Sequence, residues 1–400
     1  MFNHLKGIRV VELGTVLAGP IAGALLGDLG AEVIKVEPVE GEAARLWPPV
    51  DEAGESAFYL AFNRSKKGIA LDLKSDEGRD IYLKLVQTAD IIIDNYRMGV
   101  SDSMGIGYDA IKSIKADIIY CSISGFGRDG PRAKEPAMEL LMQAFSGLMD
   151  LTGEPDRPPS RAPTATSDLG AGLYAVVGAL AALRTRDATG EGSLIETTLL
   201  ESQMAFLTNF WAAWEVSGEL PKRAGSAHPS MVPYQAFHVK NGAVILACMT
   251  EKHFTAACQA LSLDKKYTQD PQYRSQDARK AHREEILDVF SAALADYTVT
   301  DIVEHMLKHG VPCTPINNLE QVLEDPQVTF RGGLAHVQHP RSGTIHMPRL
   351  AIRFDNTTPD TYQAAPLLGQ HTEHVLLDLG FSQDDIQRLH KTHIVKTTPV

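Results

Sequence analysis

A doubly wound α/β fold with a Rossmann-like large domain and a smaller α+β domain is what this sequence predicts. Three observations carry the prediction. Short β-rich runs alternate with helix-period segments as far as about Gly130. Two of those runs, "DIIIDNY" and "DIIYCSISGFG", are almost continuously apolar, as strands buried on both faces are. Beyond Gly130 the texture shifts to very apolar helices and then to a hairpin with amphipathic helices. Strands alternating with helices imply right-handed crossovers and hence a parallel sheet.

In chain order, "IRVVEL" and "EVIKVE" read as strands flanking "PIAGALLGDLG", whose apolar residues fall at helical spacing. "KGIALDL" is a further strand, and "SDEGRDIYLKLVQTA" a helix opened by Ser75 as N-cap. "AMELLMQAFSGLMDL" and "DLGAGLYAVVGALAALRTR" are helical, joined by the proline-rich "TGEPDRPPSRAPTATS". "GSLIETTLLESQMAFLTNFWAAWEVSG" gives a short strand and a long helix, and "YQAFHVKNGAVILACM" a hairpin turned at Asn241-Gly242. Residues 1–205 are expected to form the first part of the large domain and 206–225 a linker. Residues 226–328 would be the small domain, and 329–400 a return segment completing the large one.

Bulk properties narrow the function. The net charge of −12 argues against a nucleic-acid surface or a polybasic membrane patch. An anionic ligand would then need local capture, by a helix N-terminus or by one or two placed arginines. The four cysteines form no CxxC pair, and the N-terminal stretch reads as a first strand rather than a leader; a cytoplasmic protein is expected. Uninterrupted apolar runs stay short of the ~18 residues of a membrane helix. "HVQH", His336 to His339, has no HExxH or cysteine cluster beside it, so no metal is expected.

The stretch "ELGTVLAGPIAGALLGDLGAEVIKVE" has the strand–turn–helix–strand shape of a nucleotide-binding unit. Its glycines, Gly14, Gly19 and Gly23, do not make a GxGxxG fingerprint. The Gly14–Gly19 gap matches a P-loop, but Pro20 and Ile21 stand where the lysine and hydroxyl would be. Locally it is a tight strand–helix connection with Pro20 in the first helical turn.

Several stretches together resemble one family. "GTVLAGPIAGALLGDLGAEVIKVEP", "NRSKKGIALDLKSDEGRDIYLKLV", "ADIIIDNYRMGV", "IIYCSISGFGRDGP", "MVPYQAFHVKNG" and "APLLGQHTEHVLLDLG" are similar to the family III CoA-transferases, over about Lys6 to Leu389. That family includes formyl-CoA and carnitinyl-CoA transferases and the 2-methylacyl-CoA racemases. The resemblance implies an interlocked homodimer, each chain threaded through its partner. It also implies acyl-CoA and a carboxylic acid as the small-molecule partners, with coenzyme A carried as substrate rather than as a tightly bound cofactor.

The resemblance implies that Asp168, in "TATSDLGAGLYAVVGAL", attacks the thioester and forms a mixed anhydride. Gly170 and Gly172 would leave open backbone near the reacting carbon. Without the resemblance, Ser167-Asp168 ahead of an apolar helix is an N-cap pattern, and the two roles are compatible. Glu139 matches a carboxylate near that aspartate; a helix N-terminal charge is the alternative. Val16, Ala18, Leu71, Lys74 and Asn95 match positions lining CoA, and Arg45 and Arg97 its phosphate contacts. Where many members have a further arginine this chain has Ser103, which removes one expected phosphate contact.

A racemase needs a second acid/base group flanking the α-carbon. Met138 stands where the family's racemases have histidine, which favours the transferase. A racemase and a non-catalytic CoA-binding protein are the other readings. The loop "AGSAHPSMVP" lacks the glycine run of the formyl-CoA branch, and a short dicarboxylate acceptor is the expectation, with His228 and Trp47 as further candidates at the substrate.

Overall fold

The computed structural model describes residues 1–359 and 361–398 of the chain. These divide into two compact units, each treated by itself: 1–148, 162–216 and 332 onward form the larger, and 149–161 with 217–331 the smaller. Segment 149–161, read above with the large domain, thus groups with the smaller unit.

The larger unit is built on strands β1 (Arg9–Glu12), β2 (Glu32–Glu37), β3 (Lys67–Leu71), β4 (Ile91–Asp94), β5 (Ile119–Ser124) and β6 (Ser193–Thr198). Helices α1 (Ala18–Asp28), α2 (Ala57–Phe62), α3 (Asp76–Val86), α4 (Val100–Ser103) and α5 (Tyr108–Ile114) fall between the first five. Between β5 and β6 come α6 (Glu139–Phe145), α7 (Leu148–Leu151) and the long α8 (Thr166–Thr189). After β6 follow α9 (Leu199–Phe206) and α10 (Thr208–Ser217).

The smaller unit holds an antiparallel sheet in the order β7 (Tyr234–Val239), β8 (Gly242–Ala247), β9 (Cys313–Pro315). Helices α11 (Glu251–Ala260), α12 (Lys266–Gln269), α13 (Gln276–Ala281), α14 (Arg283–Leu294), α15 (Val299–Lys308), α16 (Leu319–Glu324) and α17 (Pro326–Phe330) accompany it. The chain then returns to the larger unit with the hairpin β10 (Leu334–His339) and β11 (Gly343–Pro348). It ends with α18 (Thr372–Asp378), α19 (Gln383–Lys391) and β12 (Val395–Lys396).

The large sheet runs β12-β3-β2-β1-β4-β5-β6, all parallel except β12, which pairs antiparallel with β3 at the edge. Alternate residues feed two cores. Val11, Ile34, Val36, Ile69, Ile92 and Tyr120 point into one, with α3, α5, α18 and α19. Val10, Val33, Ile91, Ile93, Ile119 and Cys121 point into the other, with α1 and α8. Burial on both faces is why these strands read as apolar runs. Strand order reverses between β1 and β4, where doubly wound sheets leave a crevice at their carboxyl ends.

By length and composition α8 could cross a bilayer, a reading the sequence alone does not give. Half of its apolar window is buried within the unit, which makes that face a core helix face.

Candidate functional site

The site assembles at the carboxyl end of the sheet. β1 ends at Glu12 and β4 at Asp94, so the turn after β1 and the loop after β4 flank the crevice. Asn95 ties them together: its Oδ1 accepts from Thr15 N (2.8 Å) and its Nδ2 donates to Thr15 O (2.9 Å). Asn95 thus has a backbone partner on the turn already. Val16 follows with φ +64, a left-handed conformation that is uncommon for a β-branched residue. Ala18 opens α1 and is buried.

Beneath the turn lies a buried charge network that the sequence reading misses. Lys35 Nζ lies 3.1 Å from Glu12 and 2.9 Å from Glu42, and donates to Gly14 O at 2.6 Å. Lys66 Nζ lies 2.8 Å from Glu12 and donates to Pro20 O at 2.8 Å. Burial acts against the Lys35 ammonium, but Glu12, Glu42 and Glu37 outweigh it and raise its pKa. At Lys66, burial, only partly offset by Glu12, pushes the pKa down to about 8. A sequence signal did exist. "EVIKVE" carries charges inside a strand otherwise fit for burial on both faces, which requires buried partners.

The expected phosphate ligands differ in their surroundings. Arg45 lies against Glu37 in a bidentate pair, with Nε and Nη2 both 2.7 Å from the carboxylate. Nη2 also donates to Tyr59 OH and to Pro366 O. Burial works against the Glu37 carboxylate, yet Arg45 and Lys35 hold its pKa below the usual range. Arg45 is therefore committed to the protein, and any ligand contact would have to fall to its remaining nitrogen. Arg97 is exposed, and its guanidinium has no hydrogen-bond or ion-pair partner among the described residues. Its loop is fixed from below: Asp94 accepts from Tyr96 N (2.8 Å), Ser101 Oγ (2.6 Å) and Tyr120 OH (2.6 Å).

Lys74 is exposed on the loop after β3. The Leu71 side chain is 2% exposed and packs in the core, so contact with a ligand there would fall to its backbone. Ser103 is exposed and donates to Val100 O within α4.

Asp168 sits in the first turn of α8. The expectation that Ser167-Asp168 caps this helix is overturned, because the N-cap position is Ala165 and no cap bond comes from its side chain. Glu139, from the start of α6, does the capping. Its Oε2 accepts from Ser167 N (3.1 Å) and Asp168 N (3.2 Å), and from Ser167 Oγ. Gln143 holds Glu139 in turn, donating to Oε1 at 2.7 Å while its own Oε1 accepts from Ala162 N at 2.9 Å. Asp168 is half-buried, and burial first, then the Glu139 carboxylate, pushes its pKa up to about 7. A carboxyl poised near neutrality by burial and a neighbouring like charge is a pattern of functional sites.

Gly170 and Gly172 are a second correction. A Cβ on Gly172 would meet Ile21 Cγ2 at 2.4 Å and Ala18 O at 2.8 Å; one on Gly170 would meet the Phe206 ring at 2.9 Å. Both glycines serve close helix packing rather than an open oxyanion site. Gly172 seats α8 on α1 one helical turn after Asp168.

The remaining candidates have structural roles in view. His228 stacks on Tyr234 at 5.4 Å, and its Nδ1 accepts from Ser230 N. Trp47 is 39% exposed and lies against Phe58. His336 meets His346 across the β10–β11 hairpin, and His339 Nδ1 accepts from Ser342 N at the hairpin turn.

The family model for CoA-transferase family III matches residues 5–372. This chain belongs to that family. It is 38% identical over 387 residues to succinyl-CoA:glutarate CoA-transferase of Mus musculus, covering 96% of this chain and 88% of the relative. It is 37% identical to succinate--glutarate CoA-transferase of Agrobacterium fabrum, covering 94% and 95%. A CAIB/BAIF family protein from Brucella suis superposes with a TM-score of 0.85 at 36% identity, over 94% of this chain and 99% of that one. The protein is a CoA-transferase, and CoA thioesters are its substrates.

Proposed function

We propose that this family III enzyme moves CoA between two short dicarboxylic acids, succinyl-CoA and a C4–C5 diacid such as glutarate, through an anhydride on Asp168. The carrying observation is the carboxylate pair: Glu139 is spent on the α8 N-terminus, while the Asp168 side chain is left with a neighbour that opposes its charge. The relatives named for succinyl-CoA and glutarate support the substrate class.

The steps balance without water or an added proton. An Asp168 carboxylate oxygen bonds to the acyl carbon, the C–S bond breaks, and CoA leaves as thiolate. The thiolate then attacks the Asp168 carboxyl carbon, expelling the donor acid as carboxylate and leaving an aspartyl thioester. The acceptor carboxylate attacks that thioester and expels CoA thiolate, giving a second anhydride. The thiolate then attacks the acceptor's acyl carbon, the bond from that carbon to the Asp168 oxygen breaks, and the Asp168 carboxylate is regenerated. Glu139 acts as a positioning residue, holding the Ser167 and Asp168 amides at the start of α8.

In the same reading the larger unit is a Rossmann-like frame for CoA. Val16 and Ala18 wall the pantetheine with Asn95 and the Leu71 backbone beside them, and Arg97 carries the phosphate charge with Lys74, while Arg45 orders the adjoining loop. Two copies form an interlocked homodimer. The four buried, free cysteines support a cytoplasmic location.

Trapping tests the reading. Incubation with succinyl-CoA followed by hydroxylamine or borohydride, read by mass spectrometry, is expected to modify the peptide bearing Asp168. No adduct with a panel of acyl-CoAs, in a preparation that still exchanges CoA, would remove the anhydride from the mechanism. Proton exchange at the acyl α-carbon without an acceptor would point to the isomerase instead.

A further inference from the structure

We infer that Glu42, backed by Lys35, is a positioning residue for acyl-CoA, locking the Gly14–Val16 backbone in the shape the ligand wall needs. The inference rests on the proposed CoA site.

Three consecutive residues of the turn are held by side chains rather than by sheet or helix. Gly14 O accepts from Lys35 Nζ at 2.6 Å, Thr15 is bracketed by Asn95, and Val16 N donates to Glu42 Oε2 at 2.7 Å. Glu42 Oε1 lies 2.9 Å from Lys35, so the groups holding Gly14 and Val16 are themselves an ion pair. Glu42 is fixed further, its own N–H donating to Glu37 Oε2 at 3.2 Å.

Stability alone does not call for such an arrangement. Lys35 and Glu12 are fully buried, and Glu42 is 5% exposed. Buried ion pairs are costly to desolvate, and packed apolar residues of similar volume often serve stability as well or better. These charges instead converge on one irregular turn and hold Val16 at φ +64, where a β-branched residue does not rest by preference. Glycine at that position would avoid the strain, whereas valine keeps a side chain at the half-buried wall. A wall fixed before the ligand arrives lowers the ordering cost of binding. The acceptor acid carries no pantetheine or phosphates, so its binding should depend less on that wall.

The test uses the full chain with Glu42→Ala and Glu42→Gln. Alanine removes the Val16 acceptor and leaves Lys35 underpaired; glutamine keeps an acceptor oxygen but loses the charge. The expected result is a weakening of free CoA binding, by calorimetry, of about tenfold for Glu42→Ala and less for Glu42→Gln. KM for acyl-CoA should rise in parallel, with KM for glutarate within about twofold of wild type. If alanine prevents folding, glutamine carries the test. Unchanged CoA affinity in a folded variant, or an equal rise in both KM values, would overturn the inference. Trapping on the wild type reports separately on Asp168, so failure of the anhydride and failure of the Glu42 role are told apart.

Discussion

The two carboxylates of the site differ in what surrounds them. Glu139 receives the α8 amides of Ser167 and Asp168, while Asp168 receives the repulsion of Glu139. Attack needs the ionised form of Asp168, so exchange should rise with pH through about 7. Glu139→Gln keeps an acceptor for the amides and removes the like charge, and the rising limb of kcat/KM should move to lower pH. An unmoved profile would mean that Glu139 does not set the titration. The same shift gives a sign for stability. The Asp168 pKa is raised from 3.8 to about 7, so the folded chain binds the extra proton between those values and loses that stabilisation as pH rises through about 7. Asp168→Asn should therefore abolish exchange yet melt at a higher temperature than wild type at pH 8, with the advantage shrinking at pH 5. A lower melting temperature at pH 8 would show that a structural role outweighs the repulsion.

Helix α8 links the fold to the chemistry. Its contact with α1 is set by Gly172, where even one methyl group would run into Ile21 Cγ2 and the Ala18 carbonyl. Gly172→Ala gains helix propensity of about 1 kcal/mol, but relieving the clash should cost about 1–3 kcal/mol, for a net loss of stability. Because α1 begins at the turn proposed to line CoA, CoA affinity should fall as well. A stabilised Gly172→Ala with full affinity would refute this account of the contact. Elements of this kind mark where sequence legibility ends. The doubly wound sheet is legible because its strands are apolar on both faces. The Ser75 cap is legible because cap and helix are adjacent, its Oγ accepting from Gly78 N. The β7–β8 hairpin is local in the same sense, although its turn falls at Lys240-Asn241, one residue before the expected Asn241-Gly242, with Val239 paired to Gly242. The Glu139 cap on α8 and the Lys35–Glu42 pair are not, since their partners come from separate elements and only folding brings them together. Arg45 shows the same limit: a motif position marks the residue, while its bidentate pairing with Glu37 appears only in three dimensions.

The outer face of α8 bears on the state of the whole molecule. Leu173, Tyr174, Val177 and Leu180 are 49%, 44%, 63% and 38% exposed, an apolar stripe on a helix whose other face is core. Stripes of this kind mark association surfaces, and the proposed occupant is a second copy of this chain. Light scattering should then give twice the chain mass of 43.6 kDa. Interlocking makes a sharper demand than dimerisation. Two chains threaded through one another separate only when a ring opens, so subunit exchange should be as slow as unfolding. Tagged and untagged dimers, mixed at micromolar concentration under native conditions, should yield no mixed dimer over days. Denaturation and refolding together should yield the statistical mixture. Exchange within minutes in native buffer would mean that the copies dock without threading. A monomer with full activity would remove the second copy from the reading altogether.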